Sequence, residues 1–383
     1  MNIYDIAKLS GVSIATVSRV INNSPKVSEK TKKKVWDVMY DYTPNVFARG
    51  LGLNSVKTVG LVCPDVSDRY TANAIAYLEK NLRKYGYDSI LMCSGFDYEG
   101  KVEAVKILLD RRIDAMILVG SHYAGDCGQN DIQYLQDAAQ KVPVVLMNGY
   151  VRVPGVYCVL TDNYKAVYDT VCNLIEAGRK KIVFLYDANS YSTTKKLEGY
   201  QDALIDNGLK VQEAYKVLMP NNVLKARDLL AKKKLDFDAV IASDDAMAVG
   251  ALKYVHQINK SIPEDVNVVG FNNSELCVCC YPEMSSIDSQ EEELSEIAVD
   301  SLIKVLAGKS VRQKMEIPCK FFRRNTTAVC AGSVQNQALK LVIMSTISAP
   351  MRFWASTVAA PMCGVQETIG WEYSAALEAG SSA

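Results

Sequence analysis

The chain has 383 residues, of which 49% are hydrophobic and 8% aromatic, and its 43 Lys and Arg balance 43 Asp and Glu. This composition is typical of a globular protein with room for two or more domains. The sequence lacks an apolar run of about 18 residues and begins with a charged, polar segment, so neither a membrane span nor a secretory signal is expected. Eleven cysteines without a repeating spacing predict reduced thiols and a cytoplasmic protein.

The balanced total conceals an uneven distribution of charge. Residues 1–60 contain nine Lys or Arg against four Asp or Glu, a net charge of +5, so residues 61–383 sum to −5. This asymmetry is typical of a basic nucleic-acid-binding segment joined to an acidic body. Charge alone is equally consistent with a solvated helix face, and the residue pattern is needed to decide between the two.

Three short helices are predicted near the N terminus. The first covers the apolar-periodic residues 3–9, Gly11 interrupts it, and Ser13 is placed to cap a second helix. A third helix is expected to begin at Ser28, again with apolar residues at helical spacing. Two helices joined by a glycine turn indicate a helix-turn-helix. Opposite the apolar face of the second helix lie Ala15, Ser18, Arg19 and Asn22, with Ile14 at the edge.

Five segments of this region read IYDIA at 3–7, GVSIATVSRVIN at 11–22, VSEKT at 27–31, YTPN at 42–45 and AR at 48–49. Their combination resembles the lactose/galactose-repressor family of bacterial transcription regulators. The resemblance implies a three-helix DNA-binding domain over residues 1–45 whose second helix lies in the major groove. It implies base contacts from Ile14, Ala15 and Arg19, and mainly phosphate contacts from Ser13, Thr16 and Asn22, with Ser18 on the same face.

The chemistry of these side chains agrees with the implied contacts. An arginine such as Arg19 can hold the O6 and N7 edge of a guanine with two hydrogen bonds. Ile14 and Ala15 offer apolar contact, which suits a thymine methyl group. Phosphate contacts orient the protein, whereas contacts to base edges determine sequence preference.

Residues 46–57 resemble the family's hinge helix. The matching segment begins at Asn45, and Leu51 occupies the position of a leucine that relatives insert between base pairs in the minor groove. Gly50 and Gly52 flank it, and each glycine costs a helix about 1 kcal/mol relative to alanine. The resemblance implies that Asn45 and Leu51 contact DNA. Because of the two glycines, we expect that ordering the hinge opposes DNA binding. A plain flexible linker is the alternative.

From residue 58 onward, short apolar runs alternate with amphipathic helical runs. Strands are expected at 59–63, 89–93, 115–119, 144–147, 182–186, 239–242 and 267–271. Helices are expected at 74–84, 101–109, 166–176, 197–205, 246–257 and 292–306. This alternation predicts an α/β fold with parallel sheets covered by helices, and its length suits two lobes.

The body contains IVFL at 182–185, LEGYQDAL at 197–204, SDDAMAVGAL at 243–252, VVGFN at 268–272, SSI at 285–287 and RNTT at 324–327. These segments resemble the family's two-lobed periplasmic-binding-protein-like sensor domain. The resemblance implies an effector-binding and dimerisation domain over residues 58–329. Lobe 1 is expected at about 58–157 and 288–318, and lobe 2 at about 158–287 and 319–329. Residues 330–383 have no counterpart in the family and are expected to form a loosely ordered extension or an added interaction helix.

The resemblance also implies an effector pocket at the carboxyl ends of the strands, where open α/β sheets bind ligands. Lys196 stands where relatives usually carry arginine, and Asp244 where asparagine is common. Asn148 and Asn272 stand where aspartate is frequent. Lysine lacks the planar two-point grip of guanidinium, and amides both donate and accept hydrogen bonds. The expected effector is therefore a neutral sugar bound by Tyr70, Thr71, Asn148, Lys196, Asp244 and Asn272.

Other classes of protein are less consistent with the sequence. An enzyme is not expected, because a nucleophile-elbow motif is missing and the chain has two histidines. Cys277, Cys279 and Cys280 lack the spacing of a zinc site, so neither metal nor cofactor is expected. A solute-binding protein would have no use for residues 1–57. The sequence predicts a homodimeric repressor on a pseudopalindromic operator, controlled by a small molecule or, alternatively, by a partner protein.

Overall fold

A computed structural model describes residues 3–21, 24–38, 55–125 and 132–328 of the chain. The N-terminal part forms helices α1 (Ile3–Ser10), α2 (Ile14–Ile21) and α3 (Glu29–Val38), as predicted. These helices enclose a small apolar core because their buried side chains recur at helical spacing. The core residues are Ile6, Ala7, Val17, Val20, Val27 and Val35.

Two serines begin the second and third helices. Ser13 Oγ accepts a hydrogen bond from the Thr16 backbone N–H at 3.2 Å, and Ser28 Oγ accepts one from the Thr31 N–H at 3.3 Å. Each cap satisfies a backbone donor that the first helical turn leaves without a partner. The capping role predicted for Ser13 is confirmed.

The body alternates strands and helices. Its first half contains β1 (Thr58–Cys63), α4 (Arg69–Lys84), β2 (Asp88–Cys93), α5 (Tyr98–Asp110), β3 (Ala115–Val119), α6 (Gln133–Ala139), β4 (Val144–Met147), β5 (Val156–Thr161) and α7 (Asn163–Glu176). Then follow β6 (Ile182–Tyr186), α8 (Tyr191–Asp206), β7 (Lys216–Leu218), α9 (Val223–Lys233), β8 (Ala239–Ala242), α10 (Asp245–Gln257), β9 (Asn267–Phe271) and α11 (Leu276–Cys279). The described body ends with β10 (Ser285–Asp288), α12 (Glu291–Leu306), β11 (Lys314–Ile317) and β12 (Lys320–Phe322).

These elements form two α/β lobes, each built on one sheet. The sheet of lobe 1 has the order β11-β5-β4-β3-β1-β2, with every neighbouring pair parallel. The sheet of lobe 2 has the order β12-β10-β9-β8-β6-β7 and is parallel except for β12, which runs antiparallel to β10. Helices cover both faces of each sheet, so strands such as β3 and β9 are buried along their whole length.

The chain crosses between the lobes three times, after β5, after β10 and after β11. The expected end of the first lobe-1 segment at residue 157 was wrong. Cys158–Thr161 continue β5, which pairs with both β4 and β11 in the lobe-1 sheet, so the crossing follows Thr161. The third crossing lies between Ile317 and Lys320.

All expected strands and helices of the body are present, but several helices begin earlier than predicted. Helix α4 begins at Arg69 instead of residue 74, and α8 begins at Tyr191 instead of residue 197. The first turns of these helices are polar because they face the cleft between the lobes. Strands β5, β7, β10, β11 and β12 and helices α6, α9 and α11 were not predicted.

None of the helices in the described ranges is long and apolar enough to cross a membrane.

Candidate functional site

The outer face of α2 is the candidate DNA-reading surface. Its inner residues Val17 and Val20 are fully buried, whereas Ala15 and Arg19 are exposed and Ile14 retains 43% of its accessible surface. Thr16 and Ser18 are half-buried beside them. The six described residues predicted to contact DNA, Ser13, Ile14, Ala15, Thr16, Ser18 and Arg19, therefore lie at the start or on the accessible side of α2.

The hydroxyl groups at the start of α2 are tied to each other. Ser13 Oγ and Thr16 Oγ1 lie 2.9 Å apart in a hydrogen bond. This pair stabilises the N-terminal end of α2, where backbone N–H groups favour an anion such as a DNA phosphate. Asn22, Asn45, Leu51 and residues 46–54 of the hinge lie outside the described residues, and their roles stay predictions.

A cleft of about 820 Å³ separates the two lobes at the carboxyl ends of their parallel strands. All six residues predicted to bind the effector line it. Tyr70 and Thr71 come from the start of α4, and Asn148 directly follows β4. The other three, from lobe 2, are Lys196, Asp244 and Asn272.

Asn148 and Tyr70 form one polar pair on the lobe-1 wall. The Asn148 side-chain amide donates to the Tyr70 hydroxyl, and Thr161 Oγ1 donates to Asn148 Oδ1 at 3.5 Å. Asn148 has a φ of 59°, a left-handed conformation that asparagine tolerates better than most residues. Burial, followed by the nearby charge of Glu291, raises the pKa of Tyr70 well above its usual range. Tyr70 is therefore a neutral phenol at physiological pH.

Lys196 is a buried cation on the lobe-2 wall. Its Nζ donates to the Ser243 carbonyl at 3.0 Å and lies 3.4 Å from the centre of the Phe271 ring. Burial lowers the pKa of Lys196 to about 8, although Cys319 and Asp187 favour the charged form. The ammonium group is thus mainly charged at pH 7, and the aromatic face gives it partial compensation for lost hydration.

Asp244 caps the N terminus of α10 and accepts a hydrogen bond from Asn272. Asp244 Oδ1 accepts from the Ala246 backbone N–H at 2.8 Å, and Oδ2 accepts from Asn272 Nδ2 at 3.0 Å. Asn272 has a φ of 89°, so its backbone also lies in the left-handed region. Burial raises the pKa of Asp244 to about 7 against the opposing effect of the Ala246 N–H. Near neutral pH this carboxyl group can therefore both donate and accept hydrogen bonds.

Carboxylates outnumber cations in the cleft. The charged lining side chains are those of Asp65, Asp68, Asp187, Asp244, Arg69 and Lys196, with His122 beside them. Arg69 is engaged in an ion pair with Glu275 of lobe 2. The field of the cleft therefore disfavours an anionic ligand.

Several lining residues were missed by the sequence analysis. Ser243 Oγ and Asn221 Oδ1 are buried polar atoms with no hydrogen-bond partner within the described part of the chain. Such atoms are costly unless something satisfies them. Asp187 and Ser243 directly follow β6 and β8, and Asn221 lies shortly after β7. Polar residues just beyond strand ends were the signal that could have identified them.

The contacts that join the lobes include a hydrogen bond, an ion pair and the ring contact between Tyr150 of lobe 1 and Tyr191 of lobe 2. Ser121 Oγ of lobe 1 donates to Ser190 Oγ of lobe 2 at 2.9 Å, and both residues are buried. The Arg69–Glu275 ion pair lies at the exposed rim. The side chains of the hydrogen bond and the ion pair lie outside the apolar cores of both lobes, which suits a cleft that opens and closes.

The cysteines at 277–280 lie in different surroundings. Cys277 is buried in the core of lobe 2, and Cys279 is exposed. Burial, with the nearby charge of Asp245, raises the pKa of the Cys277 thiol far above its usual value. Within the described ranges, no group of three or more His, Cys, Asp or Glu could hold a metal ion.

The small helical head and the two-lobed body with its polar cleft define a class: a periplasmic-binding-protein-like sensor preceded by a helix-turn-helix. Residues 56–325 match the family described as periplasmic binding proteins and sugar binding domain of LacI family, and residues 2–45 match bacterial regulatory proteins, lacI family. The chain therefore belongs to the LacI family and is a DNA-binding transcriptional regulator. A solute-binding protein without a transcriptional role is thereby set aside.

Similar proteins share this architecture. An HTH-type transcriptional regulator of Lachnoclostridium phytofermentans is 47% identical over 332 residues, which cover 85% of this chain and 99% of the relative. A structure of the lac repressor dimer bound to operator and the anti-inducer ONPF has a TM-score of 0.77 at 22% identity, covering 86% of this chain and 99% of that one. A CelR–cellobiose complex has a TM-score of 0.62 at 24% identity, covering 85% and 99%. At these identities the two structures bear on the fold alone.

Proposed function

We propose that the protein is a homodimeric repressor whose operator binding is controlled by a neutral sugar in the cleft between the lobes. The observation that carries the effector proposal is the chemistry of the cleft lining. Amides, hydroxyls and a carboxyl group that titrates near neutral pH surround a space large enough for a sugar. Such groups pair with the many donors and acceptors of a polyol.

The charge of the cleft supports a neutral ligand over an anionic one. A carboxylate or phosphate effector would face four aspartates and find one buried cation, Lys196, whose single ammonium cannot form a planar two-point grip. A neutral sugar instead offers hydroxyl groups that can pair with the side-chain amides of Asn148 and Asn272, which line the cleft. The cellobiose complex of the similar regulator CelR is consistent with this class of ligand.

The head supports sequence-specific DNA binding by a symmetric pair of chains. Two copies of α2, with Arg19 exposed on each, would read the half-sites of a pseudopalindromic operator. The effector would alter the geometry of the hinge at 46–57 by changing how the lobes close. This coupling is reciprocal, so an effector that weakens operator affinity must bind the DNA complex more weakly by the same factor.

Selection of bound DNA from a random pool tests the reading surface. We expect a pseudopalindromic motif for the wild type. Arg19→Ala should lower operator affinity by about 1–3 kcal/mol and relax base preference at one position of each half-site. Lys33→Ala, on the exposed side of α3, is the matched control that removes a cation and should weaken binding slightly for all sequences. Equal losses for both variants on random DNA would contradict the assigned surface.

A panel of ligands tests whether the effector is a neutral sugar. Neutral mono- and disaccharides, sugar phosphates and nucleobases are added to the full chain, and the melting temperature and the affinity for the selected DNA are measured. A neutral sugar is expected to shift both, whereas its phosphorylated form should not. A response to a nucleobase or a sugar phosphate alone would overturn the sugar proposal and leave the DNA-binding role intact.

A further inference from the structure

One end of the lobe-1 sheet carries a row of exposed cations. Because its six strands are parallel, the loops that lead into them lie along one end of the sheet, which we call the entry edge of lobe 1. These loops contain seven Lys or Arg and one acidic residue, Asp114. The cations are Lys57 before β1, Arg111 and Arg112 before β3, Lys141 before β4, Arg152 before β5, and Lys309 and Arg312 before β11.

Hydrogen bonds join each loop of this row to the next. Asp114, before β3, accepts from the backbone N–H groups of Val56 and Thr58 at 3.2 Å and 3.0 Å. Three further bonds continue the row to β11: from the Met116 N–H to the Pro143 carbonyl at 3.0 Å, from the Val144 N–H to the Gly155 carbonyl at 3.1 Å, and from Gln313 Nε2 to the Val153 carbonyl at 2.6 Å. The cations therefore lie on neighbouring loops of one continuous surface.

The charges of this row are not neutralised locally. None of the seven cations is in an ion pair within the described part of the chain. The carboxylate of Asp114 is occupied by two backbone donors. Asp88 and Asp110, at the adjoining ends of β2 and α5, are the acidic residues that border the row. A positive field therefore extends from the entry edge into solvent.

The entry edge of lobe 2 differs, although its sheet is built alike. The loops that lead into its five parallel strands contain six Lys or Arg and six Asp or Glu. Two of these residues, Lys181 and Asp236, form an ion pair. Arg323 and Arg324 follow the antiparallel β12 at the same end and bring it to a net charge of +2, against +6 for lobe 1. The high charge is thus specific to one end of the body.

That end is the one to which the DNA-binding head is connected. The chain passes from the head into lobe 1 at Ser55 and begins β1 at Thr58. The segment from Val38 to Ser55 can span at most about 60 Å, so DNA held by the head stays close to the entry edge of lobe 1. The entry edge of lobe 2 lies at the opposite end of the body, because the carboxyl ends of both sheets face the cleft.

The row has dimensions that suit a DNA backbone. Neighbouring strands lie about 4.8 Å apart, so the five strand entries from β11 to β1 span about 19 Å. One DNA strand carries a phosphate about every 3.4 Å, so about six phosphates fit along this length.

We propose that the entry edge of lobe 1 is a second DNA-binding surface, which contacts the phosphate backbone of the DNA held by the head. Lysine and arginine side chains there would displace counterions from phosphates and add affinity without adding base preference. The proposal rests on DNA binding by the head and does not depend on the identity of the effector.

The test is the salt dependence of DNA binding by a variant of the full chain with Arg111→Gln, Lys141→Gln and Arg152→Gln. Affinity for the selected operator duplex is measured by fluorescence anisotropy between 50 and 200 mM salt. Each lost phosphate contact removes about 0.9 from the slope of log affinity against log salt, so the slope should fall by about 3. Affinity at 50 mM salt should fall about tenfold or more, with the selected motif unchanged.

A variant with Lys180→Gln, Lys210→Gln and Lys234→Gln is the matched control. It removes the same charge from the entry edge of lobe 2, and its slope and affinity should equal those of the wild type. All six substituted side chains are exposed, so both variants should melt close to the wild-type temperature. Ethylation interference should map phosphates whose modification weakens binding by the wild type and the control but not by the lobe-1 variant.

Three results would overturn the proposal. The first is an unchanged slope in the lobe-1 variant, and the second is an equal loss in both variants, which would mean that total charge matters and not a contact surface. The third is an ethylation pattern identical in the wild type and the lobe-1 variant. A duplex of arbitrary sequence should show the same difference in slope, so this surface can be tested even if selection yields no pseudopalindromic motif.

Discussion

Replacing Lys196 by methionine is expected to stabilise the fold while weakening effector binding. The ammonium of Lys196 is buried, and its pKa falls from 10.5 to about 8. A tenfold change in an acidity constant corresponds to about 1.4 kcal/mol, so keeping the charged form in the folded protein costs about 3 kcal/mol. Methionine fills a similar space and can pack its sulfur against the Phe271 ring. The variant should therefore gain about 2–3 kcal/mol at pH 7.

The gain in stability of Lys196→Met should decrease as the pH rises. The pKa of Lys196 is lower in the folded protein than in the unfolded chain, so the unfolded chain binds the proton more tightly. The cost is fully present below pH 8 and disappears as the pH rises from about 8 to 10.5. Urea unfolding of both proteins at pH 7 and pH 10 measures this difference, because the other titrating groups are common to both.

Lys195→Met is the matched control. Lys195 lies one residue earlier in α8, is half-exposed and pairs with Glu198 at 2.6 Å. Removing a pair of this kind should change stability by at most about 1 kcal/mol. A loss of stability in Lys196→Met at pH 7, or a gain of the same size at pH 10, would refute the reasoning. Once a sugar effector is identified, Lys196→Met should weaken its binding roughly tenfold or more, the value of a hydrogen bond from a charged donor.

Two further changes have expected outcomes. Asp244→Asn should keep the helix cap and stabilise the protein by about 2 kcal/mol at pH 8. Burial raises the folded-state pKa of Asp244 from 3.8 to about 7, which makes ionisation unfavourable by about 4 kcal/mol. The Asn272 amide loses its acceptor in the variant, which offsets about 2 kcal/mol of this gain. The gain should be lost as the pH falls toward 4, as pH-dependent urea unfolding can show. Gly199→Ala should destabilise the protein by about 2 kcal/mol or more in urea, because a Cβ would lie 2.3 Å from the Tyr164 carbonyl oxygen.

A specific measurement would contradict each of these predictions. A gain for Asp244→Asn that persists unchanged at pH 4 would mean that ionisation is not its origin. Thr194→Ala, on the exposed side of the same helix as Gly199, should be nearly neutral, so an equal loss in both variants would argue against the close backbone contact.

The cleft links these predictions to regulation. Lys196 and Asp244 each hold an unfavourable protonation state in the folded protein, and both face the space between the lobes. A ligand that forms hydrogen bonds with both side chains would bind more tightly to the lobe arrangement that places them correctly. A regulator requires such a difference in affinity between two conformations. The Ser121–Ser190 hydrogen bond is one of the contacts that such a change would make or break.

Local sequence determined the secondary structure of the head and most of the body. The apolar residues of α2 recur at helical spacing, and strands such as β3 and β9 are continuous apolar runs, so both were predictable without knowledge of their neighbours. The family resemblance added the six cleft residues. Short strands such as β7 and β12 were missed because three residues carry too little periodicity.

Only the tertiary structure decided which distant residues meet. The end of the first lobe-1 segment depends on pairing between β5 and β11, strands that are far apart in the chain. The lowered pKa of Lys196 depends on burial beneath Phe271, and the row of cations at the entry edge of lobe 1 depends on the order of its parallel strands. Periodicity is a property of neighbouring residues, whereas burial, register and charge environment arise from packing between segments that sequence spacing alone does not bring together.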